Sequence, residues 1–202
     1  MAIEIESLRY EDIHAVVTLH RKVLTYSLNS KLGDSHLTDL YKNLCEDSSC
    51  MIKVAREREN IVGVVSAALK PQRVMSQLIS NLTLKRMLGL IGKFTLHPFF
   101  LLEWAENVWL GHPVRFKGRM IDACLLAIVV QAESQRLGIG RSLIKSVDNF
   151  FLTNNCFAYR LDSRKDNQSS SAFYQQMRFI AVEQRGRNIM WVRELQSPHI
   201  GH

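Results

Sequence analysis

The sequence predicts an α/β domain built on a central mixed sheet, and three observations predict it. Alternation of apolar and polar residues, the period of a strand, occurs at Ile3 to Arg9 and again in a paired run from Cys50 to Leu69. Around these runs lie stretches with apolar residues at helical spacing. Near residue 124 an apolar strand passes through two glycines directly into an amphipathic helix, the order of elements in a layered α/β fold.

Along the chain, Ile3 to Arg9 reads as the first strand. A helix follows from about Glu11 to Leu24, with Ile13, Val16, Val17, Leu19 and Leu24 in its buried stripe. Asp34 or Ser35 can cap a second helix carrying Leu37, Leu40, Tyr41 and Leu44. A hairpin comes next: Cys50 to Arg56, a charged turn of Glu57, Arg58, Glu59 and Asn60, and Ile61 to Leu69, stopped by Pro71. Residues 71–119 read as a helical insertion between the third and fourth strands. Val74, Leu78, Leu82 and Met87 line one helix there, Gly89, Gly92 and Pro98 break it, and Phe99 to Trp109 form a second. The fourth strand runs from Met120 to Val130. A glycine turn, a helix from Gly140 to about Thr153, a strand at Phe157 to Asp162 and a helix at Gln168 to Met177 follow it. A hairpin from Phe179 to Leu195, turning at Arg185-Gly186-Arg187, ends the domain, which takes in residues 1–202 without an internal repeat.

Composition narrows the class. With 202 residues, 47% of them apolar and 22% charged, the chain can bury one substantial core as an ordinary soluble globule. The N-terminal Met-Ala-Ile-Glu-Ile-Glu lacks the basic-then-apolar pattern of a secretory signal, and no run approaches the roughly 18 apolar residues of a spanning helix. A cytoplasmic protein is expected. Cys45, Cys50, Cys124 and Cys156 show no CxxC spacing and no clustered histidines, which argues against a structural metal and for a reducing compartment. Of the net charge of +7, residues 70–119 carry +6, with eight basic residues against two acidic. That basic stretch also holds Phe94, Phe99, Phe100, Trp104 and Trp109. It suits packing on the sheet edge, and also a lid, a homodimer surface or peripheral contact with an anionic membrane.

The segment Gln135-Arg136-Leu137-Gly138-Ile139-Gly140 lies between the fourth strand and its helix. Main-chain N–H groups at a helix start, backed by the helix dipole, make a cradle for an anion, and glycines admit the close approach of a diphosphate. Downstream, Asn167 caps a short helix that contains Phe173 and Tyr174 and leads into Phe179.

Together these two segments resemble the GNAT superfamily of acetyl-CoA-dependent N-acetyltransferases, with its patterns Q/R-x-x-G-x-G/A and N-x-x-A-x-x-x-Y-x-x-x-G-F. Gln135, Gly138 and Gly140 fit the first pattern, and Asn167, Tyr174 and Phe179 fit the second. Ser170 stands where the family usually has Ala, and Arg178 where it usually has Gly. The second departure predicts a differently built turn into the next strand. The resemblance covers about residues 120 to 195. It implies a mostly antiparallel sheet flanked by helices and transfer of an acetyl group from acetyl-CoA to an amine in a ternary complex.

Specific roles come with the resemblance. The pantetheine arm would lie along the strand of Ile128 and Val130, pairing with it as an added strand does. Arg136, Leu137, Gly138, Ile139, Gly140 and Arg141 would offer main-chain donors to the diphosphate, with charge from Arg136 and Arg141 and the loop shaped by Gln135. Asn167 would cap its helix and contact the cofactor arm. Tyr174 would donate a proton to the leaving thiolate. An alkylammonium, with a pKa near about 10.4, must also lose a proton before it attacks. Asp122 shares strand parity with Cys124, Leu126 and Ile128, which makes it a candidate base; a solvated strand-end carboxylate, with water taking the proton, is the other reading. No metal is called for.

Two other classes fit less well. Dinucleotide binding needs a third glycine where Leu143 stands. Nucleic-acid binding would bring a recognisable reading motif, and none is present. Within acetyl transfer, a bulky apolar insertion near the acceptor mouth favours a small-molecule amine over an extended peptide.

Overall fold

Strand β1 (Ile3–Ser7) opens the chain in the computed structural model, which describes residues 3–80 and 112–195. A 3-10 turn at Tyr10–Asp12 leads to α1 (Ile13–Val23), then α2 (Leu28–Leu32) and α3 (Asp34–Glu46). Strands β2 (Cys50–Glu57) and β3 (Asn60–Ala68) form the expected hairpin, and α4 (Pro71–Ser80) starts on the proline that ends it. Two short strands, β4 (Val114–Phe116) and β5 (Arg119–Ile121), precede β6 (Cys124–Val130). The remainder is α5 (Ile139–Thr153), β7 (Ala158–Arg164), α6 (Gln168–Gln176), β8 (Ile180–Arg185) and β9 (Asn188–Glu194).

Seven strands make one sheet in the order β1-β2-β3-β6-β7-β9-β8, antiparallel at every pairing except β6 with β7. Each face is covered by helices whose apolar residues recur at helical spacing. On one face Ile139, Leu143, Ile144, Val147 and Phe151 of α5 pack on Val62, Val65, Leu125 and Leu161. Gly63 lets α5 lie close, since a Cβ there would stand 3.2 Å from Ile139 and 3.3 Å from Leu143. On the other face Val16 and Val17 of α1 and Leu37, Tyr41 and Leu44 of α3 pack on Val54, Val64 and Val129.

Several elements differ from the expectations. Gly33, at φ +101°, occupies the N-cap of α3 instead of Asp34 or Ser35, and Asp34 pairs with Arg21 at 2.6 Å. The run from Met120 to Val130 is two strands: β5 turns back on β4 through Lys117 and Gly118, both at positive φ as a tight hairpin turn requires. The insertion is helical over Pro71–Ser80 and ends in this hairpin. Its second helix, Phe99 to Trp109, falls outside the described residues.

Two irregularities open the sheet. Strands β6 and β7 share a single registered pair, Cys124 with Arg160, after which β7 continues along β9 and β6 along β3. Pairing of β6 with β3 also slips between Ser66 and Ala67, leaving Leu126 as the extra residue of a bulge. Cys124 therefore pairs with Ala68 of the α1–α3 face, whereas Ile128 pairs with Val65 of the α5 face. The shared parity read from the sequence is broken at that residue.

Candidate active site

Where β6 and β7 part, two cavities meet. The larger, about 730 Å³, lies between the end of β6, the loop into α5 and the side of α6. Ile128, Val130, Gln135, Arg136, Gly138, Gly140 and Arg141 line it, with Phe173 and Tyr174 opposite. The smaller, about 210 Å³, opens on the α1–α3 side between the Leu24–Asn29 segment, the bulge of β6, the end of β7 and the β8–β9 turn. Ile128, Ser170 and Tyr174 line both.

The loop into α5 is shaped by backbone geometry. Arg136 and Gly138 stand at φ +63° and +82°, and the Gln135 side chain donates from Nε2 to the Val130 carbonyl at 3.1 Å. The leading N–H groups of an α-helix have no partner within the helix, and the exposed side chains of Arg136 and Arg141 add positive charge beside those of α5. The two glycines answer to different needs. A Cβ at Gly138 would meet nothing within 4 Å, so that position needs glycine for its left-handed φ; a Cβ at Gly140 would stand 3.0 Å from the Phe173 ring. Leu137 points to solvent at 64% exposure and Ile139 packs into the core, so neither side chain reaches the cavity.

Tyr174 is held from both directions. Asn167 caps α6 by accepting from the Ser170 N–H at 3.0 Å. At the other end the N–H groups of Arg178 and Phe179 donate to the carbonyls of Gln175 and Tyr174, both at 2.9 Å, a Schellman ending with Arg178 at φ +61°. The turn where glycine was missing is thus not rebuilt; arginine adopts the left-handed conformation itself. The Tyr174 ring packs against Phe179 and Trp191, and burial raises the pKa of its phenol well above the ordinary value.

The remaining predicted residues are placed as follows. Asn167 lines neither cavity, although its Nδ2 donates to the Tyr26 hydroxyl at 3.5 Å. Asp122 also lines neither. Its Oδ1 is buried without a hydrogen-bond partner among the described residues, and burial raises its pKa against the opposing charges of Arg160 and Lys70. The structure instead brings Asp162, Tyr26, Ser170 and Arg187 to the smaller cavity. Of these, Ser170 carried a sequence signal in its departure from the family pattern. Among the described residues no cluster of His, Cys, Asp and Glu could hold a metal ion, and no helix is long and apolar enough to cross a membrane.

A mixed sheet splayed at its one parallel pair sets a glycine loop, a helix start and a free strand edge around one cavity. The sequence model of the acetyltransferase (GNAT) family matches residues 14–179, and the chain belongs to that family of acyltransferases. Among solved structures it is similar to a PaiA N-acetyltransferase from Thermoplasma acidophilum in complex with coenzyme A, at 12% identity and a TM-score of 0.63 over 96% of this chain and 99% of that one. It is also similar to Ard1 from Thermoplasma volcanium, at 17% identity and a TM-score of 0.60 over 98% and 100% of the two chains. The ribosomal-protein-S18-alanine N-acetyltransferase from Escherichia coli shares 13% identity at a TM-score of 0.57 over 100% and 99%. At these identities the likeness is one of fold. No curated protein matches the sequence.

Proposed function

We propose that the protein transfers the acetyl group of acetyl-CoA to a primary amine of a small molecule, by direct attack in a ternary complex. One observation carries this reading: Tyr174 lines both cavities, so its phenol stands where a thioester in the larger meets an amine in the smaller. The β6 edge at Ile128 and Val130, freed where β7 departs, suits an extended pantetheine arm. The diphosphate lies against the Arg136–Arg141 turn, where Leu137 and Ile139 contribute main chain only. The Tyr174 phenol is protonated at neutral pH and serves as the acid for the departing thiolate. A cavity of about 210 Å³, flanked by Tyr26 and by Arg187, favours a compact acceptor over an extended peptide. Four unpaired cysteines support a cytoplasmic setting.

The test follows free thiol release from acetyl-CoA with a panel of small amines and short peptides, and titrates coenzyme A by calorimetry. Tyr174→Phe is expected to lower turnover by roughly 10²-fold or more while leaving coenzyme A affinity nearly unchanged. Unchanged turnover would take Tyr174 out of the reaction, and preferential turnover of peptides would overturn the small-molecule reading.

A further inference from the structure

Two guanidinium groups and one carboxylate line the smaller cavity: Arg164, Arg187 and Asp162. The arginines come from separate elements that the sheet draws together. Arg164 ends β7 and pairs in register with Asn188 of β9, while the Lys165 N–H donates to the Arg187 carbonyl at 3.0 Å and ties the β8–β9 turn to the end of β7. That turn is anchored by its other arginine. Arg185 is 6% exposed and donates to the His112 and Pro113 carbonyls at 3.0 and 3.1 Å and to Glu183, whereas Arg187 is exposed and lines the cavity. We infer that Arg164 and Arg187 form an anion-binding pole of this cavity, so that the acceptor is a small amine carrying a carboxylate or phosphate group. This inference rests on the transfer reading above and names the class of its acceptor.

The lining carries a net positive charge, and the groups behind it keep it so. The Asp162 charge is answered by Arg160 and Arg185, neither of which lines the cavity. Arg164 donates to Asp166 through Nε at 3.0 Å and Nη2 at 2.7 Å, but the Asp166 side chain is 64% exposed and lies outside the lining, where water and salt screen it. Neutral groups add donors. Asn188, 8% exposed, and Asn29 line the same cavity, and the Asn29 Oδ1 is bonded to His36 Nε2 at 3.1 Å, so its amide offers a ligand the N–H side. A planar guanidinium meets a carboxylate or phosphate through two parallel N–H···O bonds. A diamine would set its second cation against both arginines, and a plain alkylamine would bring them no acceptor.

The pole is set apart from the reacting end. Ser170 and Tyr174 line both cavities and mark where the amine meets the thioester, and Tyr174 feels the charge of Asp162. Residues 162 and 164 share one face of β7 and stand about 7 Å apart along it. The anionic group of the acceptor therefore lies several bonds from its reacting nitrogen.

The test measures kcat/KM by thiol release for 4-aminobutyrate, its neutral isostere 4-aminobutanamide and the cationic 1,4-diaminobutane, and for O-phosphoethanolamine against ethanolamine. The proteins are the wild type, Arg187→Gln, Arg187→Lys and Arg164→Gln, and the ratio of anionic to neutral substrate removes any general effect of a variant on turnover. The wild type is expected to favour the anionic member of at least one pair roughly tenfold or more, with the diamine slowest, and to lose most of that preference as KCl is raised toward about 0.5 M. The favoured pair identifies the group as carboxylate or phosphate. Arg187→Gln is expected to cut the ratio roughly fivefold or more, and Arg187→Lys to keep part of it. Should Arg164→Gln fail to fold, the exposed Arg187 carries the test by itself. Calorimetry of the same pairs on protein loaded with coenzyme A reads the contrast without turnover. Equal values within both pairs in the wild type, a faster diamine, or a ratio unmoved by Arg187→Gln would overturn the inference alone. A wild-type protein that releases no thiol with any amine would overturn the transfer reading, and the calorimetric pairs would still decide the anion pole.

Discussion

The two cavities that share Tyr174 are built from different material. The larger is shaped mainly by backbone: a left-handed glycine, a left-handed arginine and a helix start, all within about ten residues of β6. The smaller is shaped by side chains that arrive from residue 24 to residue 188, on the loop after α1, α2, the β6 bulge, β7, α6 and the β8–β9 turn. In the proposed reaction, main-chain donors answer to a diphosphate whatever side chains surround them, which suits a constant co-substrate. Side chains from many elements can change one at a time, so the other fits a particular acceptor. Substitutions on the two sides are accordingly expected to separate, one set acting on acetyl-CoA and the other on the amine.

The largest expected effect tests the layer under the acceptor cavity. His20 of α1 is 2% exposed, with Nδ1 2.8 Å from the Tyr41 hydroxyl, and burial lowers its pKa from 6.5 to about 4. The fold thus favours the neutral ring. Stability is complete above about pH 6.5 and is lost as pH falls toward 4, because only the unfolded chain takes up the proton in that interval. The loss amounts to about 3 kcal/mol. Urea unfolding at pH 7, 5.5 and 4.5 checks it against His20→Gln, which is expected to flatten the slope. Asp122 and Asp162, whose carboxyls burial raises, act in the opposite sense, so the difference between the two proteins is the informative quantity.

Gly140 and Gly138 give the next contrast. Gly140→Val drives a Cβ into the Phe173 ring that walls the larger cavity, and is expected to weaken coenzyme A binding about tenfold, near 1.4 kcal/mol. Gly138→Ala meets open space and is expected to cost about 1 kcal/mol of folding stability through its φ of +82°, with a smaller change in affinity. Calorimetry and urea unfolding on both variants separate the two; equal losses of affinity would show that the loop acts as a unit. On the acceptor side, Tyr26→Ala removes a 41% exposed ring from the cavity mouth and its hydroxyl contact with Asn167. A several-fold rise in KM for the amine, with KM for acetyl-CoA unmoved, is the expected kinetic result.

What could be read from the sequence follows the same division. The glycine turn, the Asn167 cap and the order of strands from β6 onward were legible because each is a local arrangement with its own residue chemistry. The acceptor cavity was not, since nothing local joins Tyr26 to Asp162 or to Arg187. Asp122 became the candidate base through a parity count that ran across Leu126; the bulge there leaves Cys124 on the α1–α3 face and turns Ile128, not Asp122, to the other. The hairpin of β4 and β5 was hidden because Met120 to Val130 is apolar enough to read as one strand. Its interruption lies in the backbone: β5 ends at Ile121, and β6 starts only at Cys124.

The smallest expected effect concerns Arg178, where a local pattern was legible but its consequence was not. An arginine in place of glycine suggested a different turn, yet the Schellman bonds from Arg178 and Phe179 are made and the strain stays in the arginine backbone at φ +61°. Arg178→Gly relieves a left-handed conformation worth about 1 kcal/mol or somewhat more, and gives back part of that through the greater freedom of glycine in the unfolded chain. The net gain is expected to be at most about 1 kcal/mol, seen as a higher urea midpoint at constant slope. The Tyr174 carbonyl accepts the same Phe179 N–H in either protein, so turnover should not move. A loss of stability would mean that the arginine side chain offsets its own strain through contacts on the α6 side. A loss of turnover would mean that this turn sets the position of the phenol more finely than the capping bonds indicate.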